Sequence, residues 1–230
     1  MYICTLSMSY LLHIDTSTDI GSVAVSHNGQ LVHSISGVAA RNHAGTVNSM
    51  ISDCLTSAGI TLSELAAVVV CAGPGSYTGL RIAMATAKGI CYALDKPLIL
   101  NNKLTLLAMK QCNKENDDIS DSVAAILVAR EKEYYMSIYN INGICTQEPI
   151  HLTENAALEL LKKCQKLHVI SDLSEEDFHK MNLVPSTFTA DITIDNIFWA
   201  AFAYERFTCQ DFVNIAAAAP FYLKQVYTHN

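Results

Sequence analysis

Several patterns that carry function in other proteins are scarce or absent in this sequence. Lysine and arginine together number only 15 of 230 residues, against 22 aspartates and glutamates, and they form no dense run. A surface with a formal net charge of −7 is repelled by nucleic acid, because non-specific binding depends on cations that neutralise phosphates. The composition therefore disfavours direct binding to RNA.

Long apolar runs are missing as well. No run approaches the roughly 20 residues that a membrane span needs. The first residues, Met1–Met8, have neither the basic start nor the small-residue cleavage site of a signal peptide. We interpret residues 1–9 as an N-terminal extension, with Met8 as an alternative start, and we expect no membrane association.

The eight cysteines include no Cys-x-x-Cys pair, which argues against a zinc knuckle or a thioredoxin-type site. Several lie within apolar runs, as Cys71 does after Val68–Val70. Cysteines in such runs act mostly as small buried hydrophobes. We therefore expect reduced cysteines and a cytoplasmic protein.

Patterns of metal ligands and nucleophiles are also missing. No two histidines stand three to five residues apart, so the helical pair His-x3-His does not occur. A Gly-x-Ser-x-Gly elbow is absent. Only a triad of Ser, His and Asp from distant parts of the chain stays open. We expect no catalytic residue, no metal and no cofactor.

The residues that are present predict a folded α/β protein. Half of them are hydrophobic and 16% are charged, which permits a large buried core. Period-2 runs and turn residues predict strands, and 3.6-residue periodicity predicts helices. For the first half we predict strands at Tyr10–Asp15, Ser22–Ser26, Leu31–Ser36, Ala67–Ala72 and Leu98–Leu100, with helices at His43–Ala58 and Thr78–Leu94.

The second half repeats this order after a polar linker, Gln111–Asp121. We predict strands at Val123–Ala129, Tyr134–Tyr139, Ile144–His151 and Leu167–Ile170, with helices at Ala156–Lys163 and Phe198–Phe207. Two β-β-β-α-β-α halves describe the duplicated fold of actin, sugar kinases and the Hsp70 ATPase (ASKHA). We predict an N-terminal lobe over residues 10–110 and a degenerate C-terminal lobe over residues 111–230, with the last helix free to pack on the first lobe.

Proteins of that fold hold ATP between their lobes, and their first hairpin carries Asp-x-Gly to approach phosphate. This chain has Asp15-Thr16-Ser17, so a serine stands in the glycine position. Asp15 could still position a phosphate or a metal. We favour the alternative, in which Asp15 and the following hydroxyl groups cap a tight turn.

The most distinctive segment follows the fourth strand and opens the second helix. Its sequence fits neither a P-loop nor a dinucleotide fingerprint. We interpret it as a rigid turn in which proline fixes φ, glycine supplies positive φ, and Ser76 or Thr78 caps the helix. The alternative is an anion site at the helix start. The residues of this signature loop are Gly73, Pro74, Gly75, Ser76, Thr78, Gly79 and Arg81.

Four segments together resemble the TsaB (YeaZ) family. The signature loop and its continuation to Gly89 are similar to the family signature nearly residue for residue. Leu12–Ser17, Arg41–His43 and Pro220–Lys224 give further support. The resemblance is strong over about residues 10–100. In the second lobe Val128 stands where the family usually has an aspartate, whereas Arg130 and Glu133 are kept.

This resemblance implies a non-catalytic subunit in the synthesis of threonylcarbamoyl-adenosine in tRNA. It implies a heterodimer with a catalytic TsaD-like subunit, joined by a TsaE-like ATPase, with tRNA bound only indirectly. Two states stay open for the chain alone, a homodimer and a monomer. Two other functions stay open: a small-molecule kinase or ATP-binding enzyme of the same fold, and a peptidase.

The partner surface is predicted on the first two helices. The second helix has an apolar face for the sheet and, nearly opposite, a face of small residues that lets another helix approach closely. The family resemblance places the partner there too. The alternative is that this small face packs on the chain's own first helix. The predicted interface comprises Val47, Met50, Ile51, Ile82, Ala85, Thr86, Gly89 and Ala93.

Overall fold

A computed structural model describes residues 9–38, 43–113, 120–183 and 186–222. The strands are β1 (Tyr10–Asp15), β2 (Ile20–His27), β3 (Gln30–Val38), β4 (Leu65–Cys71), β5 (Leu98–Asn101), β6 (Ser122–Arg130), β7 (Glu133–Asn140), β8 (Cys145–Thr153), β9 (Leu167–Ser171) and β10 (Thr187–Thr189). The helices are α1 (His43–Ala58), α2 (Tyr77–Leu94), α3 (Lys103–Cys112), α4 (Glu154–Leu161), α5 (Glu175–Lys180) and α6 (Asn196–Thr208). Every predicted helix and strand is present, with bounds shifted by a few residues.

Three elements were not predicted. The helix α3 begins after Asn102, whose side chain accepts a hydrogen bond of 2.9 Å from the Leu104 amide. It takes in Gln111 and Cys112, so the predicted linker was wrong at its start; residues 114–119 lie outside the described part. The helix α5 and the strand β10 were missed because they span only six and three residues, too few to show a period.

The chain divides into two compact units. Of the described residues, one unit comprises those up to Asn101 together with Asp195–Phe221, and the other comprises those from Asn102 to Ile194 together with Tyr222. The division therefore falls before α3 rather than between residues 110 and 111. The helix α6 belongs to the first unit, because it packs against β1, β2, β3 and β5.

Each unit contains a five-stranded mixed sheet. The order is β3-β2-β1-β4-β5 in the first sheet and β8-β7-β6-β9-β10 in the second. In each sheet the middle strand is antiparallel to the second strand of its unit and parallel to the fourth. The two sheets thus have the same topology, as the predicted duplicated fold requires.

The first unit buries its sheet between helices. The strand β4 is an apolar run between two parallel neighbours, and all its residues except Ala66 are buried, as expected for a central strand. On β1, Leu12 and Ile14 pack with residues of α1 and α2. His13 points to the other face, where its ring meets Trp199 of α6 edge-on at 5.0 Å.

The second unit has a core on each face of its sheet. Ala124 and Ile126 of β6 pack with residues of α4 and α5, including Phe178. Ala125 and Leu127 point the other way and pack with residues of α3. Helices therefore cover both faces of this sheet.

Candidate functional site

The signature loop connects β4 to the first turn of α2. Ser76 is the N-cap of α2: its Oγ accepts a hydrogen bond of 3.3 Å from the Gly79 amide. Of the two predicted caps, Ser76 is therefore the one used. Gly73 has a φ of +106°, so glycine supplies a positive φ at this position of the turn.

Two glycines of this loop allow the β1–β2 turn to pack against it. A Cβ on Gly75 would lie 2.3 Å from the main-chain oxygen of Ser17, and a Cβ on Gly79 would lie 1.8 Å from that of Thr16. The Ser76 amide donates a hydrogen bond of 2.8 Å to the Ser17 oxygen. Gly75 is not among the residues with positive φ. Close approach of the main chain, not φ, therefore requires glycine at positions 75 and 79.

The Asp15–Ser17 turn is engaged in bonds within the first unit. Asp15 Oδ1 accepts a hydrogen bond of 2.8 Å from the Ser17 amide, as a capped turn predicts. Asp15, Thr16 and Ser17 are each at most 5% exposed. The turn that faces phosphate in ATP-binding members of this fold is thus packed against the signature loop.

One face of α2 is buried, as predicted. Leu80, Met84, Ala87 and Cys91 are at most 4% exposed, and Leu94 is half-buried. Met84, Ala87 and Cys91 belong to the apolar cluster between the sheet, α1 and α2. The face therefore holds α2 on the first sheet.

The opposite side of α2 is exposed and largely small. Ala85, Gly89 and Ala93 are exposed, and a Cβ on Gly89 would meet no atom within 4 Å. Tyr92 on the same side is 86% exposed. We call Arg81, Ala85, Gly89, Tyr92 and Ala93 the α2 outer face. In the described part of the chain, Ala85, Gly89 and Ala93 are therefore not buried against α1.

At the N-terminal end of the outer face the Arg81 guanidinium lies over the exposed ring of Tyr77, with 4.3 Å from Cζ to the ring centre. Such a cation–π contact restrains a long side chain. Ile82 and Thr86 are half-buried on a flank, and Ile82 packs against the apolar cluster. The outer face thus has a charged aromatic end and an apolar middle.

The predicted α1 part of the interface needs correction. Val47 and Ile51 are 2% and 4% exposed and belong to the core, so they offer no surface. Met50 is half-buried at the edge of the same cluster. The apolar period of α1 marked its buried face. Apart from Gly45, the exposed residues among the described side chains of α1 are polar: Asn48, Ser49, Ser52, Asp53, Thr56 and Ser57.

Two features of this region were missed from sequence. Tyr92 stands three residues after Gly89 and seven after Ala85, so a helical wheel would have placed it on the outer face. The second is the C-terminal segment Val213–Phe221, which we call the strap. Lys88 of α2 donates hydrogen bonds of 3.0 and 3.1 Å to the main-chain oxygens of Ala216 and Ala218. Nothing in the sequence indicated this contact.

The strap is fixed at both ends. The Val213 amide bonds to the Leu98 oxygen at the edge of β5, and the Phe221 amide bonds to the Ala72 oxygen directly before the signature loop. Phe221 belongs to the Pro220–Lys224 motif, of which Leu223 and Lys224 lie outside the described residues, as do Arg41 and Asn42. The motif therefore anchors the strap beside the loop.

Ionisable groups in the described ranges form no metal site: no group of three or more His, Cys, Asp or Glu could hold an ion there. Burial lowers the pKa of His13 to about 3, so its ring is neutral. Burial also raises the pKa of Cys54 and Cys91 to about 11. The seven cysteines in the described part are free thiols, in agreement with the reduced cysteines predicted from the sequence.

Val128, which stands where the TsaB family usually has an aspartate, is 40% exposed. Its amide donates a hydrogen bond of 2.9 Å to Oδ1 of Asp172, which follows β9. The carboxylate of Glu133 hydrogen-bonds to the Nε2 atom of His151, at 3.1 Å.

Over the described residues, no helix is both long and apolar enough to cross a membrane.

Comparison with known proteins gives consistent matches. A family model described as TsaD, tRNA N6-adenosine threonylcarbamoyltransferase, matches residues 26–217. A Haemophilus influenzae protein named tRNA threonylcarbamoyladenosine biosynthesis protein TsaB is 38% identical over 127 residues, which are 55% of this chain and 52% of that protein. The TsaB of Buchnera aphidicola subsp. Baizongia pistaciae is 28% identical over 81% of this chain and 84% of its own length. The aligned part thus spans about half of the first relative.

Solved structures agree with these matches. The structure of YeaZ from Pseudomonas aeruginosa has a TM-score of 0.76 at 26% identity and covers 94% of this chain and 100% of its own. A candidate N-acetylmannosamine kinase from Listeria monocytogenes has a TM-score of 0.51 at 10% identity, over 88% of this chain and 99% of its own. The second likeness shows the fold alone, which is the two-lobed ASKHA fold.

Proposed function

Because this chain belongs to the TsaB (YeaZ) family, within the wider TsaD family of the matching model, we propose that it acts in the biosynthesis of threonylcarbamoyladenosine in tRNA. In this proposal it is a non-catalytic subunit that pairs with a TsaD-type threonylcarbamoyltransferase. The exposed α2 outer face is the observation that carries the proposal.

The outer face has the chemistry of a helix-docking surface. A helix that only covers its own sheet needs one apolar stripe, and the buried stripe of α2 already serves that purpose. The outer residues Ala85, Gly89 and Ala93 let the main chain of a second helix come close. Tyr92, 86% exposed, offers an aromatic anchor of the kind that dominates protein interfaces.

The packing of the Asp15–Ser17 turn supports a non-catalytic role. An ATP-binding member of this fold directs main-chain N–H groups of this turn at phosphate. Here the Ser17 amide donates a hydrogen bond to the Asp15 carboxylate. The main chain of the turn packs directly against Gly75 and Gly79. A phosphate at this turn would have to displace these contacts.

The charge of the chain supports indirect contact with tRNA. With a formal net charge of −7, it repels the RNA backbone. In the proposed complex the partner subunit binds tRNA and performs the transfer, and a TsaE-type ATPase joins the pair. We place the complex in the cytoplasm, where the free thiols of the chain stay reduced.

The test is co-purification with the TsaD-type transferase of the same organism. We expect the unchanged chain to form a heterodimer and Ala85→Arg to lose it, because a long cation on the outer face blocks the approach of a helix. The matched control is Ala201→Arg, which places the same side chain on the exposed side of α6. Both variants should melt at the same temperature as the unchanged chain.

Two results would contradict the proposal. One is a heterodimer that tolerates Ala85→Arg as well as it tolerates Ala201→Arg. The other is a reconstituted mixture of transferase, ATPase and tRNA that forms threonylcarbamoyladenosine equally fast without this chain.

A further inference from the structure

The chain contains two Asn-Gly pairs, and each lies in the turn of a β-hairpin. Asn28-Gly29 connects β2 to β3, and Asn142-Gly143 lies between β7 and β8. Asn-Gly is a favoured turn sequence because both residues tolerate positive φ. It is also prone to deamidation, because glycine has no side chain that shields its amide nitrogen from the side-chain carbonyl of the asparagine. One reactive dipeptide thus occurs in two structural settings of the same chain.

Deamidation at such a pair consumes only water. The main-chain nitrogen of the glycine loses its proton and attacks Cγ of the asparagine side chain, and ammonia leaves with that proton. Water then opens the resulting cyclic succinimide at either carbonyl. One opening gives aspartate, and the other gives isoaspartate, in which the main chain runs through the side-chain carbon. The reaction therefore requires an asparagine side chain that can rotate toward the glycine nitrogen.

The Asn28 side chain is fixed by its neighbours in the first unit. Its Oδ1 accepts a hydrogen bond of 3.0 Å from the Ser9 amide, and the Asn28 amide donates one of 3.1 Å to the Ser9 oxygen. The next residue is covered by Tyr204 of α6, since a Cβ on Gly29 would lie 3.2 Å from Cδ1 of that ring. Attack at Asn28 would have to break its bond to Ser9 and displace the ring of Tyr204.

The Asn142 side chain is exposed at the tip of its turn. Main-chain hydrogen bonds of 2.9 Å close this turn, from the Gly143 amide to the Asn140 oxygen and from the Asn140 amide to the Ile144 oxygen. These bonds hold the main chain and leave the side-chain amide of Asn142 in solvent, where it can rotate. Attack at Asn142 breaks the single bond of the Gly143 amide. Exposed loop tips of this kind are where chemical changes of a folded chain concentrate.

We propose that Asn142 is a deamidation site of this protein, and that Asn28 is protected although it belongs to the same dipeptide. Aspartate and isoaspartate at position 142 each add one negative charge. Isoaspartate also lengthens the main chain of the turn. Gly143 packs against α3, where a Cβ on it would lie 3.1 Å from Cε of Met109, so the longer turn should disturb this contact. The proposal does not depend on the proposed function.

Peptide mass spectrometry of the full chain during incubation in mildly alkaline buffer tests the proposal. The two pairs fall in different tryptic peptides, because Arg41 and Lys132 lie between them. In the folded chain we expect the Asn142 peptide to gain the mass of the acid, and the Asn28 peptide to do so several-fold more slowly. In urea, where neither pair keeps its contacts, the two rates should become similar. The unfolded chain is thus the control for the intrinsic reactivity of each pair.

Two results would overturn the proposal. One is conversion of Asn28 in the folded chain as fast as that of Asn142. The other is a folded chain in which neither peptide converts, although both convert in urea.

The matched variant is Asn142→Gln, which keeps the amide but closes the larger ring far more slowly. It should abolish conversion at position 142 and leave the slow conversion of Asn28 unchanged. Urea unfolding of incubated samples is the second measurement: the unchanged chain should lose stability during incubation, and Asn142→Gln should keep it. Equal losses in the two chains would overturn the effect of the modified turn on α3.

Discussion

The hydroxyl of Thr16 donates a hydrogen bond of 2.6 Å to the main-chain oxygen of Gly79. The main-chain oxygen of Thr16 lies 1.8 Å from the point where a Cβ on Gly79 would stand. The first turn of α2 and the turn after β1 are thus in main-chain contact. Any side chain at position 79 must push them apart.

This contact predicts opposite effects at two glycines of the same helix. Gly79→Ala should lower the free energy of unfolding by about 1–3 kcal/mol, the typical cost of adding a carbon where the packing leaves no room. Gly89→Ala should raise it by about 0.5–1 kcal/mol, because position 89 is open and alanine favours the helix. Urea unfolding of both variants measures the difference. Equal changes at the two positions would contradict the close main-chain contact at Gly79.

Tyr92 should matter for binding and not for stability. Its ring is 86% exposed, so Tyr92→Ala removes almost no internal contact. If the α2 outer face docks the transferase, the dissociation constant should rise by a factor of about 10–30, as for an aromatic hot spot of about 2 kcal/mol. Calorimetric titration of the pair measures it. The control is Ile144→Ala, 62% exposed in the second unit; equal effects of the two variants would argue against this surface.

The buried His13 predicts a loss of stability in acid. Burial lowers its pKa to about 3 in the folded chain, whereas an unfolded histidine titrates near about 6.5. Between these values the unfolded chain binds one more proton, so the free energy of unfolding falls as pH falls, by up to about 1.4 kcal/mol per pH unit. Above pH 6.5 the ring is neutral in both the folded and the unfolded chain, so His13 then causes no loss of stability.

The variant His13→Gln should remove that part of the slope. Unfolding by urea at pH 4, 5 and 6 compares the variant with the unchanged chain, and the difference between the slopes isolates His13 from other groups. The introduced glutamine would lose some packing against Trp199. This loss lowers the free energy of unfolding by the same amount at every pH and leaves its slope against pH unchanged. Parallel curves for the two chains would mean that His13 is hydrated and not buried.

The closed Asp15–Ser17 turn predicts weak binding of nucleotide. Calorimetric titration of the isolated chain with Mg-ATP should give no saturable heat. A dissociation constant in the low micromolar range, about −8 kcal/mol, would contradict the non-catalytic role and favour the kinase alternative. In that case Gly79→Ala, which displaces the turn, should also change the affinity.

The sequence was informative where one local pattern decides the structure. The apolar run of β4 and the periodicity of α1 and α2 predicted their elements, because burial on a sheet imposes those periods. The buried face of α2 followed in the same way. Very short elements such as β10 escaped, since three residues show no period.

The site was less predictable because its contacts join distant residues. The reason for glycine at position 75 is an oxygen of Ser17, and the partner of Lys88 is the strap 128 residues later. Neither is encoded in a local pattern. The assignment of Val47 and Ile51 to the partner surface failed for a related reason: an apolar stripe shows that a helix face is covered, but not by what.

The order of synthesis gives the discontinuous first unit a further consequence. Its sheet is complete once Asn101 has been made, but α6 and the strap come from Asp195–Phe221. Until then the face with His13 and Asn101 lacks Trp199, which later bonds to Asn101 at 2.8 Å. During synthesis the face of the first sheet that later contacts α6 therefore stays uncovered until the second unit has been made. A chain shortened before Asp195 should need a chaperone to stay dispersed.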